Sequence, residues 1–315
     1  MTKQSSENYR KLIETVKTFP PMPTAVAHPC DASSLEGAID AAQMGIIAPI
    51  LVGPRHKIVE AAKAAKLDIA AYQIVDAAHS HEAAEKAVLL VRQGRAEMLM
   101  KGSLSTDELL GAVVKKDTGL RTARRLSHCF VMDVPNYPHV LIITDAAINI
   151  FPTLEDKVDI VQNAIDLAHA LKIDNPHVAI LSAMEKVNPK LQSTVEAAAL
   201  CKMADRGQIK GGLLDGPLAL DNAISPEAAR IKGITGPVAG HAHILVVPDL
   251  EAGNVLAKSL SFLMAAESAG VVLGARVPIT LTSRADSVHS RLASAAVAAL
   301  IAHRRREKAV TGAQG

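Results

Sequence analysis

The chain has 315 residues, of which 49% are hydrophobic, and a formal net charge of +2 from 34 Lys and Arg against 32 Asp and Glu. A chain of this length and hydrophobic content can bury one or two cores, which favours two domains. The nearly balanced charge argues against a broad basic surface for nucleic acid, and an aromatic content of 2% without Trp argues against stacking platforms for single strands.

The first twelve residues lack the apolar core of a signal peptide, and no apolar stretch approaches the roughly 20 residues that span a bilayer. The three cysteines, Cys30, Cys129 and Cys201, are odd in number and far apart, which fits reduced thiols better than a disulfide framework. We therefore expect a soluble, cytoplasmic protein with no membrane partner.

Short apolar runs alternate with helical patterns along the chain. The predicted strands are 46–52, 72–76, 140–143, 178–181 and 244–247, and the clearest helices are 154–171, 189–206, 250–264 and 286–303. Near-continuous apolar strands that alternate with helices predict an α/β fold with a largely parallel sheet. Functional loops in such folds follow the carboxyl ends of strands.

Polar segments follow several of these runs. Residues 101–106 lead into a helix predicted near Asp107, 144–145 end a strand, 215–217 follow the run 211–214, and 248–249 follow 244–247. The glycines and the proline of residues 211–217 fit either a turn or a loop in which a ligand contacts the backbone.

In the segment Pro248–Lys258, Asp249 either caps the following helix or lies at a site. Gly253 and Asn254 are poor helix formers in its first turns, and this indicates a close approach to the backbone.

The segment Thr282–Ser287 lies where the apolar run 269–281 meets the last predicted helix. Ser283 and Asp286 have the spacing of a capping box. A capping box does not explain Arg284, because a cation at a helix N-terminus opposes the helix dipole unless an anion offsets it. Free N–H groups beside an Arg predict a phosphate site.

Metal and nucleotide motifs are scarce. His241 and His243 have a spacing that could hold a metal, but no nearby Cys or Glu pair completes a ligand set. The chain lacks both common nucleotide-phosphate loops and the nucleophile elbow of one hydrolase class. His28, His128 and His289 fit structural roles, with His289 a minor acid–base candidate.

Together, five ordered segments resemble the phosphate acetyltransferase/phosphate butyryltransferase family. They are Pro49–Gly53, Lys101–Leu110 (KGSLSTDELL), Asp215–Ala223 (DGPLALDNA), Pro248–Asn254 (PDLEAGN) and Thr282–Ser287 (TSRADS). The resemblance covers about Ala25 to His303, and two of the segments look closer to the butyryl branch.

This resemblance implies a fold of two three-layer α/β lobes flanking a cleft, similar to isocitrate and isopropylmalate dehydrogenases. One lobe would comprise 1–134 with 268–315, and the inserted lobe 135–267. It also implies a cytoplasmic homodimer that transfers an acyl group, acetyl to butyryl, between coenzyme A and phosphate, with no metal and no permanently bound cofactor. Acyl-chain preference does not follow from the sequence.

The resemblance also suggests residue roles. Arg284 would bind phosphate, because its planar fork matches two phosphate oxygens, and Ser283 would donate to the developing oxyanion or to phosphate. The residues assigned to substrate binding are Lys101, Ser105, Thr106, Asp215, Asn222, Asp249 and Asn254. Arg121, Arg124 and Arg125 are a basic cluster that either holds coenzyme A phosphates or forms a solvated face.

The general base is where this chain departs from the acetyl pattern, in which an aspartate follows the serine by seven residues. Ser290 occupies that position. Asp286 is the nearest carboxylate and is a candidate base, with His289 or no dedicated base as alternatives.

Two other functions are compatible with the predicted fold. One is a metal-dependent dehydrogenase of the isopropylmalate type, for which Asp215, Asp221 and Asp249 do not form a convincing metal cluster. The other is a non-catalytic acyl-CoA-binding protein.

Overall fold

A computed structural model of the chain describes residues 7–281 and 286–312, and their side chains up to residue 307. This part of the chain forms two compact units, one within Met1–Arg124 and Ala269–Gly315 and the other within Arg125–Ser268. The first lobe was predicted to extend to residue 134. The first unit ends at Arg124 instead, because residues after it form a strand that pairs with the middle segment of the chain.

The helices are α1 (Glu7–Lys17), α2 (Ala32–Gln43), α3 (Arg55–Ala64), α4 (Ser80–Arg92), α5 (Thr106–Val113), α6 (Leu154–Ala170), α7 (Gln192–Asp205), α8 (Leu220–Ile224), α9 (Pro226–Ile231), α10 (Leu250–Leu263) and α11 (Val288–Gly312). The strands are β1 (Met22–Ala27), β2 (Ile47–Gly53), β3 (Gln73–Asp76), β4 (Met98–Lys101), β5 (Ser127–Asp133), β6 (Leu141–Thr144), β7 (His177–Leu181), β8 (Leu213–Leu218), β9 (Ile244–Val246), β10 (Glu267–Leu273) and β11 (Ile279–Thr280).

The sheet of the first unit has the strand order β3-β2-β1-β4-β11-β10. Pairing is parallel from β3 through β11, and β10 pairs antiparallel with β11. The apolar run 269–281 is therefore two strands, separated by a turn in which Gly274 has φ 90°. The carboxyl ends of β1, β4 and β11 lie side by side at one edge of this sheet.

The sheet of the second unit has the strand order β5-β6-β9-β7-β8, with β5 and β6 antiparallel and the other pairs parallel. Both units are thus α/β, and each sheet is mixed because it includes one antiparallel pair. The predicted strands 46–52, 140–143, 178–181 and 244–247 correspond to β2, β6, β7 and β9 within one or two residues.

One predicted loop is a strand. Residues 215–217 lie inside β8, because Asp215 pairs with Ala179 and Leu218 with Leu181, and the register shifts between these pairs. At this bulge a Cβ on Gly216 would lie 2.8 Å from Ile180 Cβ, so the strand approaches β7 too closely for a side chain.

Each unit has its own apolar core. In the second unit, Met132, Ile143, Leu181, Leu218 and Leu245 belong to one buried cluster. In the first unit, α11 is buried along most of one stretch, where residues 292–302 are Ala, Leu, Ile, Val and one Ser, all nearly inaccessible. A helix that is apolar all round is a core helix, and this stretch of α11 is therefore part of the core of the first unit.

Candidate functional site

The loops after β1 and β4 are tied together at the carboxyl edge of the first unit. His28 has φ 55°, and its Nδ1 lies 2.9 Å from Ser103 Oγ. The same hydroxyl donates to His28 O at 2.8 Å and accepts the Cys30 N–H at 3.4 Å. Ser103 N also donates to His28 O, so the two loops share three backbone or hydroxyl bonds besides the imidazole contact.

Gly102 makes this approach possible. A Cβ at this position would lie 2.4 Å from both Ala27 O and His28 O, where no side chain fits. Its N–H donates to Ala27 O at 2.8 Å. The glycine in the KGSLST segment is thus required by backbone contact between neighbouring strand ends.

The other residues predicted in this segment have local partners. Lys101 Nζ donates to Gly102 O and Leu104 O at 3.1 Å each. Ser105 is the N-cap of α5 in a capping box with Glu108, and Thr106 is the first helical residue. The structure therefore places all three at the same edge as His28, with the Ser105 hydroxyl already bonded to the helix.

The start of the last helix differs from the sequence prediction. The helix was expected from Asp286, but α11 begins at Val288, and the N–H of Ser290 donates to Ser287 Oγ at 3.1 Å. Ser287 therefore caps the helix, and Asp286 precedes the first helical turn. Ser283 and Arg284 lie outside the described residues.

Arg291 joins this helix start to the start of α2. Its Nη1 donates to Asp286 O at 3.0 Å and to Ser33 Oγ at 2.8 Å. Its side chain packs on α2, where a Cβ on Gly37 would lie 3.1 Å from Arg291 Cδ. Sequence analysis missed this residue, since an Arg within the first helical turn carries no distinctive pattern.

In the second unit, the carboxylate of Asp145 is buried at the end of β6. It accepts N–H groups of His128, Ala147 and Ile148 at 3.2, 2.9 and 3.0 Å, and the Asn149 amide at 2.6 Å. Burial lowers the pKa of His128 to about 4, and the carboxylate of Asp145 acts against this shift. The histidine is therefore neutral at neutral pH, which agrees with its predicted structural role.

Two predicted binding residues follow one another along the DGPLALDNA segment. Asp215 is half-buried in β8, and burial raises the pKa of its carboxyl above the usual range. Asn222 in α8 has 0% exposure, and neither its Nδ2 nor its Oδ1 has a hydrogen-bond partner among the described residues. A buried amide without partners costs roughly 1–3 kcal/mol, so it calls for an explanation.

The PDLEAGN segment starts α10. Asp249 is the N-cap, and its Oδ1 accepts the Ala252 N–H at 2.8 Å. A Cβ on Gly253 would lie 2.8 Å from Val247 and 3.0 Å from Asp145 O, so the close approach predicted there is to β9 and the β6 loop. Asn254 Nδ2 donates to Ala146 O in that loop at 3.3 Å.

Burial keeps the three cysteines protonated. It raises the pKa of Cys30 to about 11 and the pKa values of Cys129 and Cys201 to about 12. A thiol is a nucleophile only when it is ionised. At neutral pH all three side chains are therefore poor nucleophiles.

Within residues 7–281 and 286–312, no group of three His, Cys, Asp or Glu is arranged to hold a metal ion. His243 Nδ1 accepts the backbone N–H of His177 at 3.1 Å, and His241 is exposed. None of the helices in this part of the chain has the length and apolar character needed to cross a bilayer.

Comparison with known proteins gives the family. The family model described as phosphate acetyl/butaryl transferase matches residues 79–299. The chain belongs to this family. It is therefore an acyltransferase enzyme, and the resemblance seen in the five sequence segments is confirmed.

Three relatives show how far the similarity extends. The chain is 66% identical to a phosphate acetyltransferase of Rhizobium meliloti over 95% of this chain and 94% of that protein. It is 46% identical to a phosphate butyryltransferase of Clostridium beijerinckii strain ATCC 51743 / NCIMB 8052 over 95% of this chain and 99% of that protein. The crystal structure of a branched-chain phosphotransacylase from Enterococcus faecalis V583 matches with a TM-score of 0.78 and 32% sequence identity. The match covers 90% of this chain and 99% of that chain.

These relatives do not confirm the leaning toward the butyryl branch, because the relative at 66% identity is named for the acetyl group. They do not favour either alternative function, the metal-dependent dehydrogenase or the non-catalytic binding protein. The acyltransferase has the α/β architecture of a phosphotransacylase.

Proposed function

We propose that the acyltransferase converts an acyl-CoA and inorganic phosphate into an acyl phosphate and free coenzyme A. The names of the relatives at 66% and 46% identity carry this proposal, because both couple phosphate to a short acyl group. We further propose an acyl range from acetyl to butyryl, which spans those two names.

We propose direct transfer in a ternary complex of enzyme, acyl donor and acceptor. The state of the three cysteines supports it, since pKa values of about 11 and 12 leave no ready thiolate on the described protein surface to form an acyl-enzyme. The coenzyme A sulfur and the phosphate oxygen would then exchange at the acyl carbon without a protein nucleophile.

Arg284 is proposed as the phosphate ligand and Ser283 as a donor to phosphate or the oxyanion. In support of this, β11 ends at Thr280, and Asp286 lies two residues before α11. An Arg at a helix N-terminus is suited to a dianion. The sequence left Asp286, His289 or no dedicated base as the candidates for proton removal, and the backbone oxygen of Asp286 accepts a hydrogen bond from Arg291.

The remaining predicted ligands are proposed to bind the two substrates. In the first unit they are Lys101, Ser105 and Thr106, and in the second unit Asp215, Asn222, Asp249 and Asn254. Asn222 has the strongest support, because its amide is buried without partners among the described residues.

The experiment that tests this function measures free thiol released from acetyl-, propionyl- and butyryl-CoA as a function of phosphate concentration. Arg284→Ala should lower kcat/KM for phosphate by about ten- to a hundredfold, because charge-assisted hydrogen bonds contribute about 1.5–3 kcal/mol. Arg10→Ala, which removes an exposed Arg on α1, is the matched control and should leave the phosphate dependence unchanged. Normal turnover of Arg284→Ala at low phosphate would contradict the assignment.

We also propose a homodimer, in keeping with the family. Exposed apolar side chains on and beside α10 support it: Val255 is 65% exposed, Phe262 76%, Leu263 81% and Met264 49%. Several large exposed apolar side chains on one helix are typical of protein–protein contact. The finer expectations, a cytoplasmic location and a fold of the isocitrate dehydrogenase type, remain predictions.

A further inference from the structure

His28 is held at the carboxyl edge of the first unit in a single tautomer. Ser103 Oγ has one proton, and it donates that proton to His28 O at 2.8 Å. The contact of 2.9 Å between Ser103 Oγ and His28 Nδ1 must then be donated by the imidazole. Nδ1 therefore carries the ring proton, and Nε2 has a free lone pair when the ring is neutral.

The charged groups around His28 come from three elements. Lys57 lies on α3, Glu108 on α5, and Asp31 is the N-cap of α2. Burial, followed by Lys57, lowers the pKa of His28 below its usual value, and the two carboxylates act against the shift. The imidazole is therefore neutral at neutral pH, which is the form that accepts a proton.

The backbone of His28 is unusual, which indicates that its position is specified by the surroundings. A φ of 55° is uncommon for a residue with a side chain, and it is maintained here by hydrogen bonds from Gly102 N to Ala27 O and from Ser103 N to His28 O. The residues that follow β4 therefore hold in place the part of the chain that carries the imidazole of His28.

His28 lies at the carboxyl edge of the sheet of the first unit, beside the residues 101–106 that are proposed to bind substrate. The strands β1, β4 and β11 are consecutive in the sheet and parallel, so the carboxyl ends of adjacent strands are about 5 Å apart and those of β1 and β11 about 10 Å apart. Arg291 bonds both Asp286 O and Ser33 Oγ, which joins the residues before α11 to the helix that follows His28. A substrate bound at this edge, beside the residues 101–106 that are proposed to bind it, would therefore lie next to the loop that carries His28.

We propose that His28 is the general base of the acyl transfer, in place of the aspartate that Ser290 replaces. This inference rests on the proposed function. In the direction of acyl-CoA synthesis, the sulfur of coenzyme A bonds to the acyl carbon as Nε2 takes the thiol proton. The bond from the acyl carbon to the phosphate oxygen breaks with its electron pair on phosphate, and the imidazolium returns the proton to give hydrogen phosphate.

The test uses His28→Asn, because an Asn amide can occupy the place of Nδ1, donate to Ser103 and adopt a positive φ, while it lacks Nε2. The rate of thioester formation from acetyl phosphate and coenzyme A is measured from pH 6 to 9. Wild type should be flat above the pKa of His28. The variant should be slower by about 10²- to 10⁴-fold at pH 7, the usual contribution of a general base.

The pH slope separates a base from a structural role. Without a base, the rate should follow the thiolate fraction and rise about tenfold per pH unit toward about 8.5, the pKa of an ordinary thiol. His241→Asn, an exposed histidine of the second unit, is the control and should retain the wild-type profile. His28→Gly also tolerates positive φ and is read by the same slope if the Asn variant does not fold.

A His28→Asn enzyme with the wild-type rate and profile would overturn the proposal. So would a uniform loss of rate with a flat profile, since that result indicates a structural role. Wild-type enzyme that releases no thiol in the presence of phosphate would instead refute the proposed function, so the two failures are distinguishable.

Discussion

The burial of Asn222 costs stability, and nothing in the described fold offsets that cost. Its side chain is fully buried, yet neither amide atom is bonded within the described chain. Asn163 has similar burial, but its Nδ2 donates to Arg125 O at 3.0 Å and to Ser127 Oγ at 2.9 Å. The two residues therefore form a matched pair, one satisfied within the protein and one not.

We predict opposite effects of the same substitution at these positions. Asn163→Leu should lower the free energy of unfolding by about 2 kcal/mol, because it leaves buried partners unpaired. Asn222→Leu should leave it unchanged or raise it by about 1 kcal/mol, since it removes an unsatisfied amide, and should lower acyl transfer at least about tenfold. Urea unfolding and thiol release measure the two effects.

Equal destabilisation by both variants, with normal turnover of Asn222→Leu, would show that Asn222 has a structural role only.

At this scale the sequence predicted residue types better than their contacts. Asn222 was assigned to substrate binding from the family resemblance. Its lack of hydrogen-bond partners depends on how α8 packs, which a local sequence pattern cannot show. Ser283 and Asp286 have the spacing of a capping box, but the described start of α11 is at Val288 and Ser287 caps it, because the position of the helix start decides which hydroxyl can cap. His28 was assigned a hydrogen-bonded structural role, but its partner Ser103 could not be predicted because it is 75 residues away in sequence.

At the scale of elements, the ends of β1 and β4 determine where the candidate base lies. The loop after β4 passes so close to β1 that Gly102 has no room for a side chain. Gly111, in the helix that follows, has nothing within 4 Å of its Cβ position. The two glycines therefore serve different purposes within ten residues of each other.

We predict that Gly102→Ala destabilises the protein by about 2 kcal/mol or more and lowers activity, because the new methyl group forces the two strand ends apart. Gly111→Ala should stabilise it by about 0.5–1 kcal/mol through helix propensity. The midpoint of urea unfolding, together with the rate of thiol release, checks both. A Gly102→Ala protein as stable and active as Gly111→Ala would show that the strand ends are not constrained.

Elements with uniform apolar runs were predicted well, and those with turn residues were not. Strand β2 was visible as the run 46–52 because six of these seven residues are aliphatic, whereas β8 contains Asp, Gly and Pro and resembled a loop. β8 is a strand because tertiary pairing with β7 outweighs the local preference of Gly216 and Pro217. Strand β1 (MPTAVA) was missed, and with it the importance of the residue that follows it.

At the scale of the whole molecule, the order of five weak motifs identified the family where no single motif could. The family match over residues 79–299 and the relatives at 66% and 46% identity confirm it. The acyl group was not predictable, because chain-length preference depends on the volume of a pocket rather than on motif residues. The α/β class followed from alternating strands and helices, while the antiparallel pairs β5–β6 and β10–β11 did not.

The exposed apolar side chains on α10 give the prediction at this scale. Wild type should elute as a dimer in size-exclusion chromatography with light scattering. Leu263→Glu should shift the equilibrium toward monomer, because it places a charge in a contact made mostly of apolar side chains. Lys258→Glu, on an exposed site of the same helix, is the control and should remain dimeric. A monomeric wild type at micromolar concentration would contradict the proposal.

The central claim is that this enzyme exchanges phosphate and coenzyme A at an acyl carbon. The most direct test incubates the enzyme with acetyl-CoA and phosphate and measures both products. The free thiol is followed by absorbance and the acyl phosphate by ³¹P NMR. The enzyme should form one acyl phosphate for each thiol released, and it should release no thiol when phosphate is absent. Thiol released without phosphate, or without matching acyl phosphate, would contradict it.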